Sequence, residues 1–590
     1  MKQLRPHEMK TLFTIGVLTF ILASCGFAAS SHDIELAQRF LALQNYEKAA
    51  EVLEKAYAQD PSDPEVQKML KETYLGLKKY DKLESLIQTM LLREPENAIL
   101  WVELGTVLLA QNKPDDAWKA FGKATQIAPA NQALVIQIHQ ALAIWGFIDK
   151  NIEFIEKSRK ALKNKSLLAL ELARLCEIKG RFDDAVKEYT LYLTANPDRL
   201  GEVEHRINLG ERTEEELKQL RKALDELLKT QIPKWQAWRL IALADQLLGN
   251  YDKAFDALKK AEEAQEERYR GRLVASFVED MLRIGQHEFA RKGAEYMITS
   301  TKGNYALTGR LYMAKALCGL GKFADAIARL DSLADAKNNA PLLEDAAMLK
   351  AQIYLDNMHD PDGAERAIEP LSTGANWMKN PQALALKGRI LIYRREFDEA
   401  KQFLDRALQS NAANQDVAYL LGMTFFFAGS YDTANVVLHN VVSRFPKSAM
   451  GNESVELLLI MQIAPDDAAK ISAPLFLMFT HDTASARAKW KTLADSADAS
   501  KIGDYILWKL ALCEIALGDT TALATLRRLT DKHKDGFYAP LALEKLGDSE
   551  LAKGNNAAAT EIYARIMNQY PAAVNMEAIR EKLRSLGGNM

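Results

Sequence analysis

The sequence predicts an all-α fold, a right-handed α-solenoid of stacked helix–turn–helix repeats preceded by a signal peptide. Three observations carry this. Pro61, Pro95 and Pro129 are 34 residues apart, and Pro197 lies two such steps beyond Pro129. Within each period, apolar residues recur at helical spacing on two successive segments. Small residues return at the same places from one period to the next. A period of this length marks a unit too small to bury its own apolar face, so neighbouring units must stack into a continuous core.

The clearest unit runs from Ala98 to Asn131. Trp101, Leu104, Gly105 and Leu108 lie at i, i+3, i+4 and i+7, one face of a first helix. Asn112-Lys113-Pro114-Asp115 makes the turn. Ala117, Phe121 and Ala124 mark the inner face of a second helix, which Pro129 ends because proline lacks the N–H to continue it. Gly105 and Ala117 are small where the two helices should touch. The acidic pairs Asp115-Asp116 and Asp183-Asp184 fall where a second helix begins. There they are expected to cap it and to face its positive end.

This Trp-x2-Leu-Gly, Ala-x3-Phe-x2-Ala, Pro pattern resembles the tetratricopeptide repeat. Ala49, Leu53, Ala56 and Pro61 hold the same places two periods earlier, and Ala185, Tyr189 and Pro197 two periods later. Gly388, Phe397, Ala400, Leu404 and Ala407 repeat it, as do Gly422, Tyr431, Ala434, Leu438 and Pro446, and then Gly547, Ala559, Tyr563 and Pro571. Ala254, Ala290 and Ala326 mark units spaced by 36. Three stretches depart from the pattern. Gln132–Lys165 has Asn151 where alanine is expected. Asp198–Lys234 is charged and opens a helix with Thr213-Glu214-Glu215-Glu216, a capping box. Gly451–Ser500 carries Pro465 and Pro474, which argue for shorter or skewed helices. The expected organisation is a signal peptide at 1–24, a linker at 25–32, a first array at 33–197, an irregular charged segment at 198–233, a second array at 234–446, an irregular segment at 447–500 and further repeats at 501–590.

The first 24 residues read as an address. Lys2, Arg5 and Lys10 precede the short, mainly apolar run Leu12–Ala23. Twelve residues are too few for a permanent span, which needs about 20. Met9 also reads as a start. Leu22-Ala23-Ser24-Cys25 resembles a bacterial lipobox, in which the cysteine is acylated and becomes the new first residue. Gly26 follows in place of a retaining aspartate. The resemblance implies lipid anchoring at the outer membrane of a Gram-negative-type bacterium, facing the periplasm. A plain signal cut after Ala28 or Ser30 is the alternative.

Composition narrows the rest. Lys plus Arg number 76 against 79 Asp plus Glu, a net charge of −3 without the basic face that nucleic acid requires. The cluster Arg268-Tyr269-Arg270-Gly271-Arg272 follows Glu263, Glu266 and Glu267 and reads as a solvated helix of mixed charge. Cys176, Cys318 and Cys513 fall in distant units and read as free apolar thiols. His287-Glu288-Phe289-Ala290-Arg291 lacks the second histidine of a zinc site. No phosphate loop or nucleophile elbow occurs, so neither enzymatic activity, metal nor cofactor is expected.

The candidate site is the face of the first helices, which lines the groove in tetratricopeptide arrays. Its matching pairs Ile34/Gln38, Lys68/Glu72, Val102/Thr106, Ala385/Arg389 and Tyr419/Met423 lack the lysine–asparagine clamp for a terminal carboxylate. The most apolar stretch joins Arg389 and Tyr393 to Tyr419, Met423, Phe426 and Phe427, residue types that anchor binding surfaces. The same side chains could instead pack between repeats. The expected function is a membrane-anchored envelope scaffold for partner proteins. By resemblance to repeat-bearing lipoproteins it would serve polysaccharide export or outer-membrane assembly. A glycan- or peptidoglycan-binding module is the alternative.

Overall fold

The computed structural model describes residues 33–333, 339–372, 379–411 and 413–587, and among them there are helices and turns but no strand. They form two compact units, one ending at Leu273 and one beginning at Val274. Each is a stack of helix pairs. The signal segment and Cys25 lie outside the described residues.

Local chemistry explains why the pairs form. Asn97 caps the helix Ala98–Ala110, its side-chain oxygen accepting from the Ile99 N–H at 3.1 Å. Asn112 turns the chain in the left-handed region, which asparagine tolerates. Pro114 opens the second helix, Pro114–Ile127, at a position that needs no N–H donor. Gly105 then sets the distance between the two. A Cβ there would lie 2.4 Å from the Phe121 ring, which is 1% exposed. The same lock recurs as Gly388 on Leu404, Gly422 on Leu438 and Gly547 on Tyr563, each partner sixteen residues after its glycine. The acidic pairs stand in the first turn but do not cap. The cap positions are Lys113 and Arg181, so the carboxylates reach solvent-side bases instead, Asp116 to Lys119 at 2.8 Å and Asp184 to Arg181 and Lys187 at 2.9 Å each.

The departures from the pattern have physical causes. In the helix Gln132–Ile144, His139 takes the place of the locking glycine, and buried Asn151 takes that of the alanine. The two are hydrogen-bonded, with His139 Nδ1 3.0 Å from Asn151 Oδ1 and Asn151 Nδ2 donating to the His139 carbonyl at 3.1 Å. A polar pair has replaced a steric one. Asn151→Ala should therefore cost about 1–3 kcal/mol, because the buried imidazole loses its partner. Hydrogen exchange of the amides in Gln132–Ile144 and Ile148–Leu162 checks this locally. Changing both residues to His139→Gly and Asn151→Ala should recover much of the loss.

The charged segment uses its charges inward. The helices Leu200–Leu209 and Glu214–Ala223 follow one another, and the capping box at Thr213 forms as expected. Arg212 pairs with Glu177 at 2.6 Å with both side chains under a tenth exposed, and Arg221 pairs with buried Asp245 at 2.7 Å. Buried pairs of this kind do not substitute for apolar packing in energy, but they fix one register.

Two expectations are corrected. The basic cluster is not one solvated helix: Arg268 and Tyr269 fall in the short 3-10 helix Glu267–Tyr269, and Arg272 opens the next α-helix, Arg272–Arg283. The helix Tyr251–Glu263 ends before it, and buried Glu262 accepts from the Gly271 N–H and, at 2.8 Å, from the Leu273 N–H. Gly271, at φ 102°, makes that hairpin of backbone possible. Of the shorter or skewed helices expected in 447–500, the shorter are not found, since Ala449–Ile463 and Pro465–Phe479 have 15 residues each and Thr483–Ala494 has 12; the departure lies in where Pro465–Phe479 packs. Pro465 starts its helix, whereas Pro474 sits inside it, buried. Tertiary packing of the residues that follow outweighs the local penalty of an internal proline. The thiols of Cys176, Cys318 and Cys513 are free, and burial pushes each up to about 11. They are packing groups rather than nucleophiles at neutral pH.

Candidate functional site

In the second unit the first helices Pro381–Tyr393, Gln415–Phe427, Ala449–Ile463, Gly503–Ala516 and Ala539–Ala552 carry the residues expected to face a partner. Two of the six named side chains do not reach the surface. Phe426 is 0% exposed and Met423 is 7% exposed, and both pack into the core shared with Leu438, Leu457 and Trp490. They stack one repeat on the next, as a phenylalanine run on a helix must when its members cannot all face one way.

Two more are covered by the chain itself. The helix Pro465–Phe479 does not take the usual place of a second helix. Its C-terminal half lies against Tyr393, Phe397 and Phe427 of the two preceding repeats. The Phe476 ring meets Phe427 edge-on at 5.3 Å and Phe397 at 6.1 Å. Arg395 stands over the Phe476 ring at 4.2 Å. Phe479 meets both Tyr393 and Phe427 at 5.6 Å. The Tyr393 hydroxyl donates to the Phe479 carbonyl at 3.1 Å, satisfying an acceptor that the helix end leaves open. Burial pushes that phenol up to about 12. Arg389 is paired with Asp356 of the repeat before. This part of the first-helix face is thus already filled by an internal helix.

Tyr419 belongs to a different neighbourhood. Glu453 follows it by one period, 34 residues on, in the helix Ala449–Ile463. Glu456, one turn further, receives a hydrogen bond from Tyr538 and another from Lys509 Nζ at 3.0 Å. The Lys509 ammonium also stands 5.0 Å over the Tyr505 ring. Trp508 stacks on Tyr538 at 5.9 Å with their planes 20° apart, and Phe537, 60% exposed, meets Tyr538 edge-on at 5.1 Å. Burial, followed by the charges of Glu453 and Glu456, raises the Tyr419 phenol. Burial also leads at Tyr538, which the carboxylates of Glu456, Asp504 and Glu453 push further the same way. Glu453 itself lies at the surface, but partial desolvation of its carboxyl raises it, against the pull of Lys509.

The sequence points to Glu453 through the period alone. It does not point to Trp508, Phe537 or Tyr538, because the inserted helices displace them from the 34-residue register. Glu456 meets Tyr538 across 82 residues. In the first unit, a separate cleft of about 1200 Å³ lies between the helices Ala169–Ile178 and Leu200–Leu209. Its lining sets Glu171, Glu177, Glu202, Glu211 and Glu216 against Arg174, Arg206 and Arg212, and the Arg212–Glu177 and Arg206–Glu171 pairs take up part of that charge. Among the described residues no group of histidine, cysteine and carboxylate side chains is placed to hold a metal ion, and no helix is long and apolar enough to cross a membrane.

Family models described as the tetratricopeptide repeat match residues 40–104, 381–414, 416–448, 505–536 and 541–573. The chain carries tetratricopeptide repeats. The matched segments include the helix pairs locked at Gly388, Gly422 and Gly547, and the last three flank the inserted helices. Similar solved structures include the thermophilic TPR protein TTC0263 of Thermus thermophilus, 22% identical over 30% of this chain and 97% of its own, with a TM-score of 0.22. Naa15/Naa10 bound to HypK-THB is 12% identical over 95% and 96%, TM-score 0.26. The APC/C hetero-tetramer Cut9–Hcn1 is 13% identical over 72% and 95%, TM-score 0.29. No curated protein matches the chain. A tetratricopeptide array is a protein–protein interaction scaffold, and the filled and open parts of the first-helix face say where its surfaces lie.

Proposed function

We propose that this chain is a membrane-anchored scaffold of the cell envelope, acylated at Cys25 and held at the outer membrane facing the periplasm. It gathers partner proteins, with polysaccharide export or outer-membrane assembly as its setting. The repeats support the scaffold reading, and the part of the first-helix face around Trp508, Phe537 and Tyr538 is the observation that carries it: half-buried and exposed aromatics stand there, away from the ring contacts of the internal helix. Leu22-Ala23-Ser24-Cys25 supports the anchor. One acyl chain binds a membrane only marginally, so the anchor needs the two or three chains that such lipoproteins bear.

The test is Cys25→Ala in cells fed a labelled fatty acid. The label should vanish from the protein, which should move from the membrane pellet to the soluble fraction. Polysaccharide-synthesis or export proteins cross-linked to the native chain should drop out of its pull-down. An unlabelled native protein, or the same distribution and partners for the variant, would sink the anchor. Glycan binding is the second reading, and it rests on the Trp508–Tyr538 stack.

A further inference from the structure

The internal helix Pro465–Phe479 is a bound helix within its own chain. Two aromatic side chains, three residues apart in its last turn, rest on three places of two successive repeats. Phe476 meets Phe397 and Phe427, and Phe479 meets Tyr393 and Phe427. Tyr393 and Phe427 are the last residues of their first helices, and Phe397 is the first residue of a second helix. The first unit repeats this set as Ile144, Ile148 and Ile178, with the same spacing of four residues and of one 34-residue period. Ile144 and Ile178 end the first helices Gln132–Ile144 and Ala169–Ile178, and Ile148 opens the second helix Ile148–Leu162. The set is apolar in both units, but in the first it is uncovered. Ile144 is 77% exposed and Ile178 is 55% exposed.

Ile178 also lines the cleft of about 1200 Å³, together with Leu170, Phe182 and Leu209, the last 68% exposed. Exposed apolar side chains gathered at a cleft mark an interaction surface. Arg174 lines the same cleft and is exposed. Its N–H groups suit the open carbonyls and negative end of a helix, the part that the Tyr393 hydroxyl plays for Phe479. Gly146 stands where Arg395 does in the second unit, so the cation over the Phe476 ring has no counterpart.

We propose that the first unit binds an amphipathic helix of a partner protein on Ile144, Ile148 and Ile178. The helix carries two aromatic side chains three residues apart in its last turn and ends at the cleft. The inference rests on the scaffold reading and names one class of partner, for which the internal helix of the second unit is the precedent.

The probe is a fluorescent synthetic peptide of residues 465–481, titrated against the full chain without its signal segment and followed by anisotropy. The peptide should bind, and the same peptide with Phe476 and Phe479 changed to alanine should not. Ile144→Glu and Ile178→Glu should each weaken binding about tenfold, the equivalent of about 1.4 kcal/mol. Both residues are exposed, so the variants should keep the circular dichroism and melting of the native chain. Ile178→Ser is the milder change should either glutamate disturb the fold. Binding that survives these variants and falls with Phe427→Ala would place the peptide in the second unit, in exchange with the internal helix, and overturn the proposal. So would dimers of the chain that dissociate with Ile178→Glu, because a second copy would then hold the face. No binding of the peptide, while envelope proteins still co-purify with the native chain, would remove this inference and leave the scaffold standing.

Discussion

Phe476→Ala should destabilise the second unit by about 3–5 kcal/mol, the usual cost of deleting a buried phenylalanine ring. Phe476 is 6% exposed and joins the packed cluster of Leu384, Leu391 and Leu404 while meeting Phe397, Phe427 and Arg395. Its helix has only a local reason to break, at Pro474, and a tertiary reason to persist, in the ring contacts that follow. Removing the ring tips that balance. The chain has two compact units, so a single unfolding free energy is not the quantity to read. Limited proteolysis is better. The variant should be cut within residues 464–500 at protease levels that leave the native chain intact, and binding of an apolar dye should rise as Tyr393 and Phe427 become uncovered. Unchanged proteolysis would mean that the helix Pro465–Phe479 is not held by those contacts.

Gly105→Val should cost at least about 3 kcal/mol, the upper end of the penalty for overpacking a core. Even a Cβ at that place meets the Phe121 ring at 2.4 Å, and valine adds two methyl groups beyond it. The glycine is there for closeness, not for backbone freedom, since it lies within the helix Ala98–Ala110. Gly122 provides the opposite case one helix later. A Cβ there meets nothing within 4 Å, so Gly122→Ala should stabilise by about 1 kcal/mol through helix propensity. Unfolding midpoints of the two variants should move in opposite directions from the native chain. A shift in the same direction for both would contradict the helix-pair geometry.

The repeat period made most of the fold legible, because a small residue locked on a large one sixteen positions later leaves the same trace in each unit. Gly105 could be read as a place of close approach, but its partner could not: the sequence sets it against Ala117, and the structure sets it on the Phe121 ring. His139 and Asn151 could not be read as a pair. They break the pattern one at a time and make sense only as a hydrogen-bonded pair. The six residues expected on the groove divided for a similar reason. Position along a helix says which side a residue faces, but not whether another helix lies on that side. Phe426 packs between repeats, Tyr393 and Phe427 are covered by a helix about fifty to ninety residues further on, and Tyr419 borders the face that stays open. The face around Tyr538 depends on contacts between Glu456, Lys509 and Tyr538 that span the insertion, and no local motif announces them.

The central claim is that the open first-helix face of the second unit meets protein partners. Its most direct test is site-specific photo-cross-linking in intact cells. A photoreactive residue replaces Trp508, and in a parallel strain it replaces Val436, which is 62% exposed on the second helix Tyr431–Arg444. Discrete adducts from position 508, absent from position 436, are the expected result. No adduct from position 508, or the same adducts from both positions, would contradict the claim.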